Sequence, residues 1–310
     1  MTRRGWLLFV AMGLIWGTPY LLIKVAVDEV SPPMLVFVRT VVGAVVLLPL
    51  VLRRGQLAAL RGRWWWLIAF AVAEIVGPWL LLTDAERTLS SSTAGLLIAT
   101  VPIIGVLIGR FTGDRQRVTP VRWAGLLLGF VGVALLAGSA LDGGWWPVTE
   151  VLLTAIGYAG APFIADRALR DVPGLAVTAT SLAFASLVYA APAAATWPDT
   201  LPSGTALLAL AALSVVCTAL AFVLFMELIR EVGAARATVI TYVNPAVAVA
   251  LGVALLDEPF TLAVGGAFAL ILVGSVLATA GVSRTEPPGT PVAVPAGSPA
   301  LPHDRCTATP

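Results

Sequence analysis

The sequence predicts an all-α membrane protein of ten transmembrane helices, folded as two inverted five-helix repeats around a central cavity. Three observations lead to this prediction: the composition, the spacing of the apolar runs and an internal duplication. The chain has 310 residues, of which 59% are hydrophobic and only 12% are charged, whereas soluble domains carry about 25% charged residues. So few charges cannot solvate a globule of this length, and a lipid bilayer is the solvent that suits the chain.

Apolar runs of about 20 residues are long enough to cross the hydrocarbon core of a bilayer as helices. The chain contains ten such runs separated by short breaks, so neighbouring helices are expected to run antiparallel. The runs are Gly5–Val27, Pro33–Leu52, Trp64–Thr83, Ser91–Phe111, Val121–Ala140, Trp146–Ile164, Leu175–Ala195, Thr205–Ile229, Ala234–Leu255 and Leu262–Val282. No small-residue cleavage site closes the first run, so we interpret it as a retained helix rather than a signal peptide.

The positions of the basic residues predict the orientation in the membrane, because cytoplasmic loops are enriched in Lys and Arg. If the N-terminus lies in the cytoplasm, all of the 19 Lys and Arg residues except Lys24, Arg39 and Arg87 fall on the cytoplasmic side. The opposite breaks carry acidic residues instead. These are Asp28, Glu29, Asp84, Glu86, Asp142, Asp199, Asp257 and Glu258. We therefore predict a protein of the cytoplasmic membrane with both termini in the cytoplasm.

An internal repeat supports five helices in each half. The aligned pairs are Ala94 with Ala237, Pro102 with Pro245, Gly109 with Gly252, Trp16 with Tyr158, Pro49 with Pro192 and Asp84 with Glu227. Because five is an odd number of crossings, the second copy must enter the membrane upside down. Inverted repeats of this kind are typical of secondary transporters, whose binding site lies near the midplane between the halves. The predicted units are residues 5–140 and 146–282, followed by a disordered cytoplasmic tail at 283–310 that is rich in Pro, Ala, Gly and Thr.

Several short motifs resemble those of the EamA-type transporters of the drug/metabolite transporter superfamily. They are Trp16-Gly17 in the first helix, Arg39 in the second, the helices that contain Pro102 and Pro245, and the acidic end Leu256-Asp257-Glu258 of the ninth helix. The resemblance covers roughly residues 5–282. It implies a ten-helix bundle with a central cavity that exports or exchanges small metabolites such as amino acids or drugs. The first repeat departs from the pattern, since Gly113-Asp114-Arg115 stands where the second repeat has its acidic end.

Two charged residues within helices are candidates for substrate binding. Glu74 lies midway along the third helix, where an ionised carboxylate facing lipid costs about 2.5–3.5 kcal/mol on insertion scales. It should therefore face the interior, as a proton-coupling or substrate-amine site or as a structural ion pair, with Arg39 as one partner. Arg39 itself either clamps a substrate carboxylate or bridges helices.

The other candidates are aromatic or amide side chains. Trp16 and Tyr20 share one helix face with Lys24, and form either a cavity wall or core packing beside an interfacial Lys24 offset by Asp28. Tyr158, the repeat partner of Trp16, is assigned to the same cavity. Asn244 either faces the cavity or satisfies the carbonyl that Pro245 leaves free. The predicted substrate-binding set is Trp16, Tyr20, Arg39, Glu74, Tyr158 and Asn244.

Two kinds of residue are predicted to shape the helices. Pro102 and Pro245 are expected to kink theirs. Glycines at helical spacing are expected to let the fifth and tenth helices pack closely, and the resemblance places these two helices at a dimer contact. The glycines are Gly125, Gly129, Gly132, Gly266 and Gly274.

The chain lacks the residues that other function classes need. Its one histidine, His303, lies in the tail, and no Gly-x-Ser-x-Gly elbow or P-loop is present. We therefore predict no enzyme activity, no bound metal or cofactor, and no ATP hydrolysis by this chain. The predicted function is secondary active transport, with a small-molecule substrate and the lipid bilayer as partners, no nucleic acid, and a homodimer left open. The alternatives are a carrier of lipid-linked or nucleotide-sugar substrates and a non-transporting membrane sensor of the same fold.

Overall fold

The computed structural model describes residues 2–111, 119–140, 144–233 and 237–279. The tail predicted at 283–310 lies outside these residues. Within them, every regular element is a helix. The predicted all-α membrane fold is therefore confirmed.

Ten helical segments follow one another in the described chain. The first half contains α1 Arg3–Val27, α2 Pro32–Arg53, α3 Trp64–Ala85, α4 Ser91–Phe111 and α5 Pro120–Ala140. The second half contains α6 Trp145–Ala168, α7 Gly174–Ala195, α8 Gly204–Val232, α9 Asn244–Leu255 and α10 Leu262–Thr279. Seven of the described helices are long and apolar enough to cross a bilayer, and α5, α9 and α10 are shorter apolar helices next to residues outside the description.

Three of these helices are interrupted where proline removes a backbone hydrogen bond. The break in α1 lies at Thr18, directly before Pro19. In α4 the helical pattern stops at Ala99 and resumes at Val101, one residue before Pro102. Pro245 stands in the first turn of α9, which follows the short 3₁₀ helix Thr238–Tyr242. We call the junction between this 3₁₀ helix and α9 the break in α9.

The breaks in α1 and α9 pack against each other. A Cβ added to Gly17 would lie only 3.0 Å from the carbonyl oxygen of Asn244 and would collide with Val247. The absence of a side chain at Gly17 therefore lets the two interrupted helices, one from each half, approach closely.

The helices of the two halves pair in the pattern that an approximate twofold axis produces. Each of α2, α4 and α5 packs against its own repeat counterpart, which is α7, α9 and α10 respectively. In the other two contacts, the third helix of each half packs against the first helix of the other half. These contacts are α3 against α6 and α8 against α1. An axis that carries each helix onto the one five places later generates all five contacts. The arrangement agrees with inverted repeats related by a twofold axis in the membrane plane.

Glycines make the contact between α5 and α10 close. A Cβ on Gly274 would lie 2.5 Å from the backbone nitrogen of Gly129, and one on Gly125 would strike the backbone at Ala278. Gly266 on α10 has open space around it. The stripe therefore joins the two halves within one chain, and the dimer contact at these helices stays a prediction.

We expect Gly274→Ala to lower the stability of the bundle by about 1–3 kcal/mol, because the added methyl group overpacks a backbone contact. Thermal unfolding of the purified protein in lipid nanodiscs measures the change. Gly266→Ala is the matched control on the same helix, since its methyl group meets open space. Equal melting temperatures for the two variants would contradict the close contact.

Candidate substrate site between the two halves

Arg39 on α2 is the cation around which the polar residues between the halves are arranged. Its side chain is 7% exposed. The Nε–H group donates to the hydroxyl of Thr218 on α8 at 2.8 Å, and the guanidinium carbon stands 3.7 Å from the centre of the Trp79 ring on α3. A cation over an indole face contributes about 2 kcal/mol when it is desolvated. Arg39 thus binds a helix of the second half to two helices of the first.

The terminal nitrogens of Arg39 have no hydrogen bond to protein in the described part of the chain, where Nε makes the one such contact. A buried guanidinium has five N–H donors, and unsatisfied donors in a buried site are costly. Two parallel N–H groups match the two oxygens of a carboxylate. The free edge of Arg39 is therefore suited to an anionic group of a ligand.

Aromatic side chains from two further helices surround this cation. Tyr20 on α1 is buried and Tyr158 on α6 is half-buried, and both lie within electrostatic range of Arg39. The Tyr158 hydroxyl also lies beside the indole N–H of Trp79. We call Tyr20, Arg39, Trp79, Tyr158 and Thr218 the Arg39 cluster. Its members come from five helices, three in the first half and two in the second.

Glu74 lies next to this cluster but does not pair with Arg39, so the ion pair suggested by the sequence is wrong. The guanidinium is turned toward Trp79 and Thr218 instead. Glu74 is half-buried and lies within electrostatic range of Tyr158. Among the described residues it has no salt bridge.

Both α3 and α8 contain a π-helical turn at the level of the cluster. Glu74 lies in the π segment Val72–Val76, and Thr218 lies in the π segment Ala212–Leu220. The alignment that pairs Asp84 with Glu227 places Glu74 opposite Cys217, so the two segments occupy equivalent positions in the repeats. π turns of this kind occur frequently at functional sites, since they displace side chains from regular helical spacing.

Trp16 lies on the other side of the pseudo-twofold axis from the Arg39 cluster. Its ring stands 5.9 Å from that of Phe222 and 4.6 Å from that of Phe225. Under the same alignments Trp16 corresponds to Tyr158, and Phe222 corresponds to Trp79. The Trp16–Phe222 pair thus repeats the Tyr158–Trp79 pair, and the internal symmetry extends to the aromatic residues of the site.

Asn244 lies at the break in α9, against Gly17 of α1. Its side-chain oxygen Oδ1 is buried and has no hydrogen-bond partner among the described residues. The structure therefore brings Tyr20, Arg39 and Tyr158 together with Glu74 beside them. Trp16 and Asn244 flank this group on α1 and α9.

Sequence reasoning missed two members of the cluster. Trp79 stands near a helix end, where tryptophans usually anchor the membrane interface, but it is 6% exposed and packs under Arg39. Thr218 stands in an apolar run without an obvious role. The signal that points to both is the repeat alignment, which places Trp79 opposite Phe222 and Thr218 beside the counterpart of Glu74.

One end of the bundle, which we call the Glu258 end, is opened by two clefts between the halves. The carboxylate of Glu258 accepts the backbone N–H groups of Ser91 and Ser92 at 2.7 and 3.0 Å and the Ser92 hydroxyl, so it caps the start of α4. The first cleft, of about 450 Å³, is lined by Lys24, Val25, Asp28, Thr88, Ser90, Leu256 and Glu258. The second, of about 500 Å³, is lined by Val27, Asp28, Asp84, Arg87, Thr88, Trp146, Pro147 and Glu150.

The sequence suggested that Asp28 offsets the charge of Lys24. In the structure, Lys24 at this end does not pair with Asp28. Its ammonium donates to the backbone carbonyl oxygen of Glu86 at 2.8 Å. Asp84 and Glu150 both line the second cleft, where Asp84 forms an ion pair with Arg87 at 3.3 Å.

At the opposite end, which we call the Arg4 end, ion pairs join α1 to α8. Arg4 lies 3.1 Å from Glu227 and 3.7 Å from Glu231. The Thr2 hydroxyl donates to Glu231 at 2.5 Å. These contacts join the first helix of one half to the third helix of the other.

Comparisons with known proteins agree with this architecture. Two stretches of the chain, residues 3–138 and 145–280, each match the EamA-like transporter family. A relative from Escherichia coli (strain K12), "Uncharacterized inner membrane transporter YedA", is 30% identical over 274 residues, which is 87% of this chain and 89% of the relative. "Uncharacterized transporter YvbV" from Bacillus subtilis (strain 168) is 26% identical over 280 residues, 86% of this chain and 88% of the relative.

One solved crystal structure has the same fold. It superposes with a TM-score of 0.63 at 24% identity and covers 90% of this chain and 97% of its own. At that identity the likeness concerns the fold alone. The two family matches extend over most of the sequence. The chain therefore belongs to the EamA-like transporter family of the drug/metabolite transporter superfamily and is a multi-pass membrane protein.

Proposed function

We propose that this protein is a secondary active transporter that exports or exchanges small metabolites, amino-acid-like or drug-like, across the cytoplasmic membrane by alternating access. The observation that carries the proposal is the buried Arg39, whose terminal nitrogens have no hydrogen bond to protein among the described residues and which contacts residues of both family repeats. Inverted-repeat transporters bind their substrates at this position.

The chemistry of the Arg39 cluster favours a substrate with a carboxylate and an apolar part. The guanidinium edge is matched to two carboxylate oxygens. Tyr20, Trp79 and Tyr158 supply flat apolar surfaces with polar tips, and Glu74 supplies a carboxyl group for an amine or a proton. An amino acid or a similar zwitterion has all of these features.

The two ends of the bundle support alternating access. At the Glu258 end, both clefts are lined by residues of both halves. At the Arg4 end, ion pairs hold α1 against α8. This is the asymmetry expected of a carrier that opens toward one side at a time, and under the predicted orientation the Glu258 end faces outward. Transport by such a carrier is driven by a gradient or by exchange.

Arg39→Gln is expected to reduce export at least about tenfold, because it removes a charge-assisted pair of hydrogen bonds to the substrate. The substrate is sought by comparing metabolites in the medium of cells that contain the wild type, the variant or no protein. Arg54→Gln, an exposed change at the end of the same helix, is the matched control. Wild-type export by Arg39→Gln at equal membrane abundance would remove Arg39 from the site.

Glu74→Gln is expected to slow export and to change its pH dependence, because the amide keeps the shape of the side chain but cannot titrate. Initial export rates at several pH values measure this, with the exposed Asp199→Asn as the control. If the variant exports at wild-type rates with an unchanged pH profile, Glu74 takes no part in coupling.

The proposed orientation has its own test. A reporter domain fused after Leu60 should be active in the cytoplasm, and one fused after Asp142 should be active outside, because those breaks fall on opposite sides of the predicted topology. Each position is tested with two reporters, one that is active only in the cytoplasm and one that is active only outside. The two readings at a position therefore control each other. The reverse pattern would place the Glu258 end in the cytoplasm.

A further inference from the structure

Glu86 is a buried carboxyl group that the proposed substrate site does not use. It follows the last residue of α3, its side chain is 0% exposed, and neither of its carboxyl oxygens has a hydrogen-bond partner among the described residues. An ionised carboxylate is strongly disfavoured where it is buried and accepts no hydrogen bond. The protonated, neutral form is therefore the form that suits this environment.

Other glutamates at the same end of the bundle are held differently. Glu258 caps α4, and Glu29 accepts the backbone N–H group and the hydroxyl of Ser203 at 2.5 and 2.6 Å, so it caps α8. The hydrogen bonds from Ser203 lower the pKa of Glu29 below its ordinary value. Both side chains have the donors that an ionised carboxylate needs, whereas neither oxygen of Glu86 has a hydrogen-bond partner in the part of the chain that the structure describes.

The charged and titratable groups around Glu86 come from four parts of the chain. They are Tyr20 and Lys24 on α1, Arg39 on α2, Tyr158 on α6 and Glu258 after α9. Burial raises the pKa of Glu86 well above its ordinary value, and Glu258 adds to this, while Lys24 and Arg39 act in the opposite direction. The ammonium of Lys24 bonds the backbone carbonyl of Glu86 rather than its carboxyl group.

Glu86 lies where opening of the bundle would change its environment. Lys24 and Glu258, two of its electrostatic neighbours, line the first cleft, with Lys24 in one half and Glu258 in the other. Separation of the halves at this end would admit water to Glu86 and favour its ionised form. A group that is buried in one state and hydrated in the other binds its proton more tightly in the buried state, so the proton favours closure.

We propose that the Glu86 carboxyl group is a proton-binding site that controls the Glu258 end, binding a proton as the two halves close there and releasing it as they open. The link to transport rests on the proposed function, whereas proton binding by Glu86 does not. The closed state buries Glu86 and holds the extra proton, so low pH favours closure of the Glu258 end. Opening increases as the pH rises through the raised pKa of Glu86.

The test measures closure directly with a thiol. Ser91, which is 0% exposed and whose hydroxyl has no partner among the described residues, is changed to cysteine together with Cys217→Ser and Cys306→Ser, so that position 91 carries the one thiol of the chain. Alkylation of the purified protein in lipid vesicles is then timed from about pH 5 to about pH 9 with and without Glu86→Gln. Because both proteins carry the same thiol, the ratio of their rates cancels the ionisation of the thiol itself.

The amide of Glu86→Gln imitates the protonated carboxyl group, so this variant should stay closed at every pH. The alkylation-rate ratio of the Glu86 protein to the Gln variant should be near one at low pH. It should rise by up to about tenfold for each pH unit between the ordinary pKa of a hydrated glutamate and the raised pKa of buried Glu86, and level off above that pKa. Adding the exposed Asp199→Asn change to the Glu86 protein should leave this rise unchanged. A flat ratio would overturn the proposal.

Further variants decide the remaining outcomes. If Glu86→Gln does not fold, Glu86→Met removes both oxygens, and it should fold and stay closed because neither oxygen has a partner. Failure of both variants would show that the carboxylate makes a required contact, and would overturn the proposal. So would a pH-dependent rise in labelling that survives Glu86→Gln and disappears in Glu74→Gln or Glu150→Gln.

Infrared spectroscopy supplies a second reading without substrate. At neutral pH, the difference spectrum between the wild type and Glu86→Gln should contain the carbonyl band of one protonated carboxyl group, and a difference spectrum without that band would contradict the assignment. The proposed function and the proton site can fail separately. If alkylation depends on Glu86 but no metabolite is exported, the proton site is retained and the proposed transport function is rejected. If a metabolite is exported but the rate ratio is flat, transport is retained and the proton site is rejected.

Discussion

The burial of one guanidinium between two halves of the chain is the constraint on which the rest of this structure depends. Arg39 is withdrawn from solvent, and the described residues around it offer a hydroxyl from α8 and an indole face from α3 but no carboxylate in an ion pair. A cation held in this way keeps most of its donors unsatisfied, which is expensive unless something else binds them. The arrangement is costly as a structural element and suitable as a binding site.

The two halves are related by pseudosymmetry but differ at the residues that carry charge. The alignments place Ser181 or Leu182 opposite Arg39, so the site contains one cation rather than a facing pair. The ends differ in the same way. Glu227 pairs with Arg4 of the other half as well as with Arg230, while its counterpart Asp84 pairs with Arg87 of its own half. An ion pair between the halves is therefore present at the Arg4 end, and Asp84 makes no such pair across the halves among the described residues.

Much of the fold could be predicted from the sequence because hydropathy and the proline and glycine positions are local signals. The site was harder to predict because it depends on side-chain direction. Regular helical spacing does not hold through the π turns that contain Glu74 and Thr218, so the sequence could not decide between a free Glu74 and an ion pair with Arg39. Trp79 and Glu86 stand near a helix end, where such residues usually face headgroups or water, and only the packing of the second half against α3 shows that both are buried.

Charge balance links the two sites. Arg39 and Glu86 lie within electrostatic range of each other. When Glu86 is ionised, it partly neutralises Arg39 and competes with a substrate carboxylate. When Glu86 is protonated, that compensation is lost and the free edge of Arg39 attracts an anionic group more strongly. Under the two proposals, a proton on Glu86 and a carboxylate on Arg39 would favour each other's binding, as linkage requires of two ligands that prefer the same state. Closure at the Glu258 end would then be most favourable when both are bound, and the pair would enter the closed state with no net change in charge.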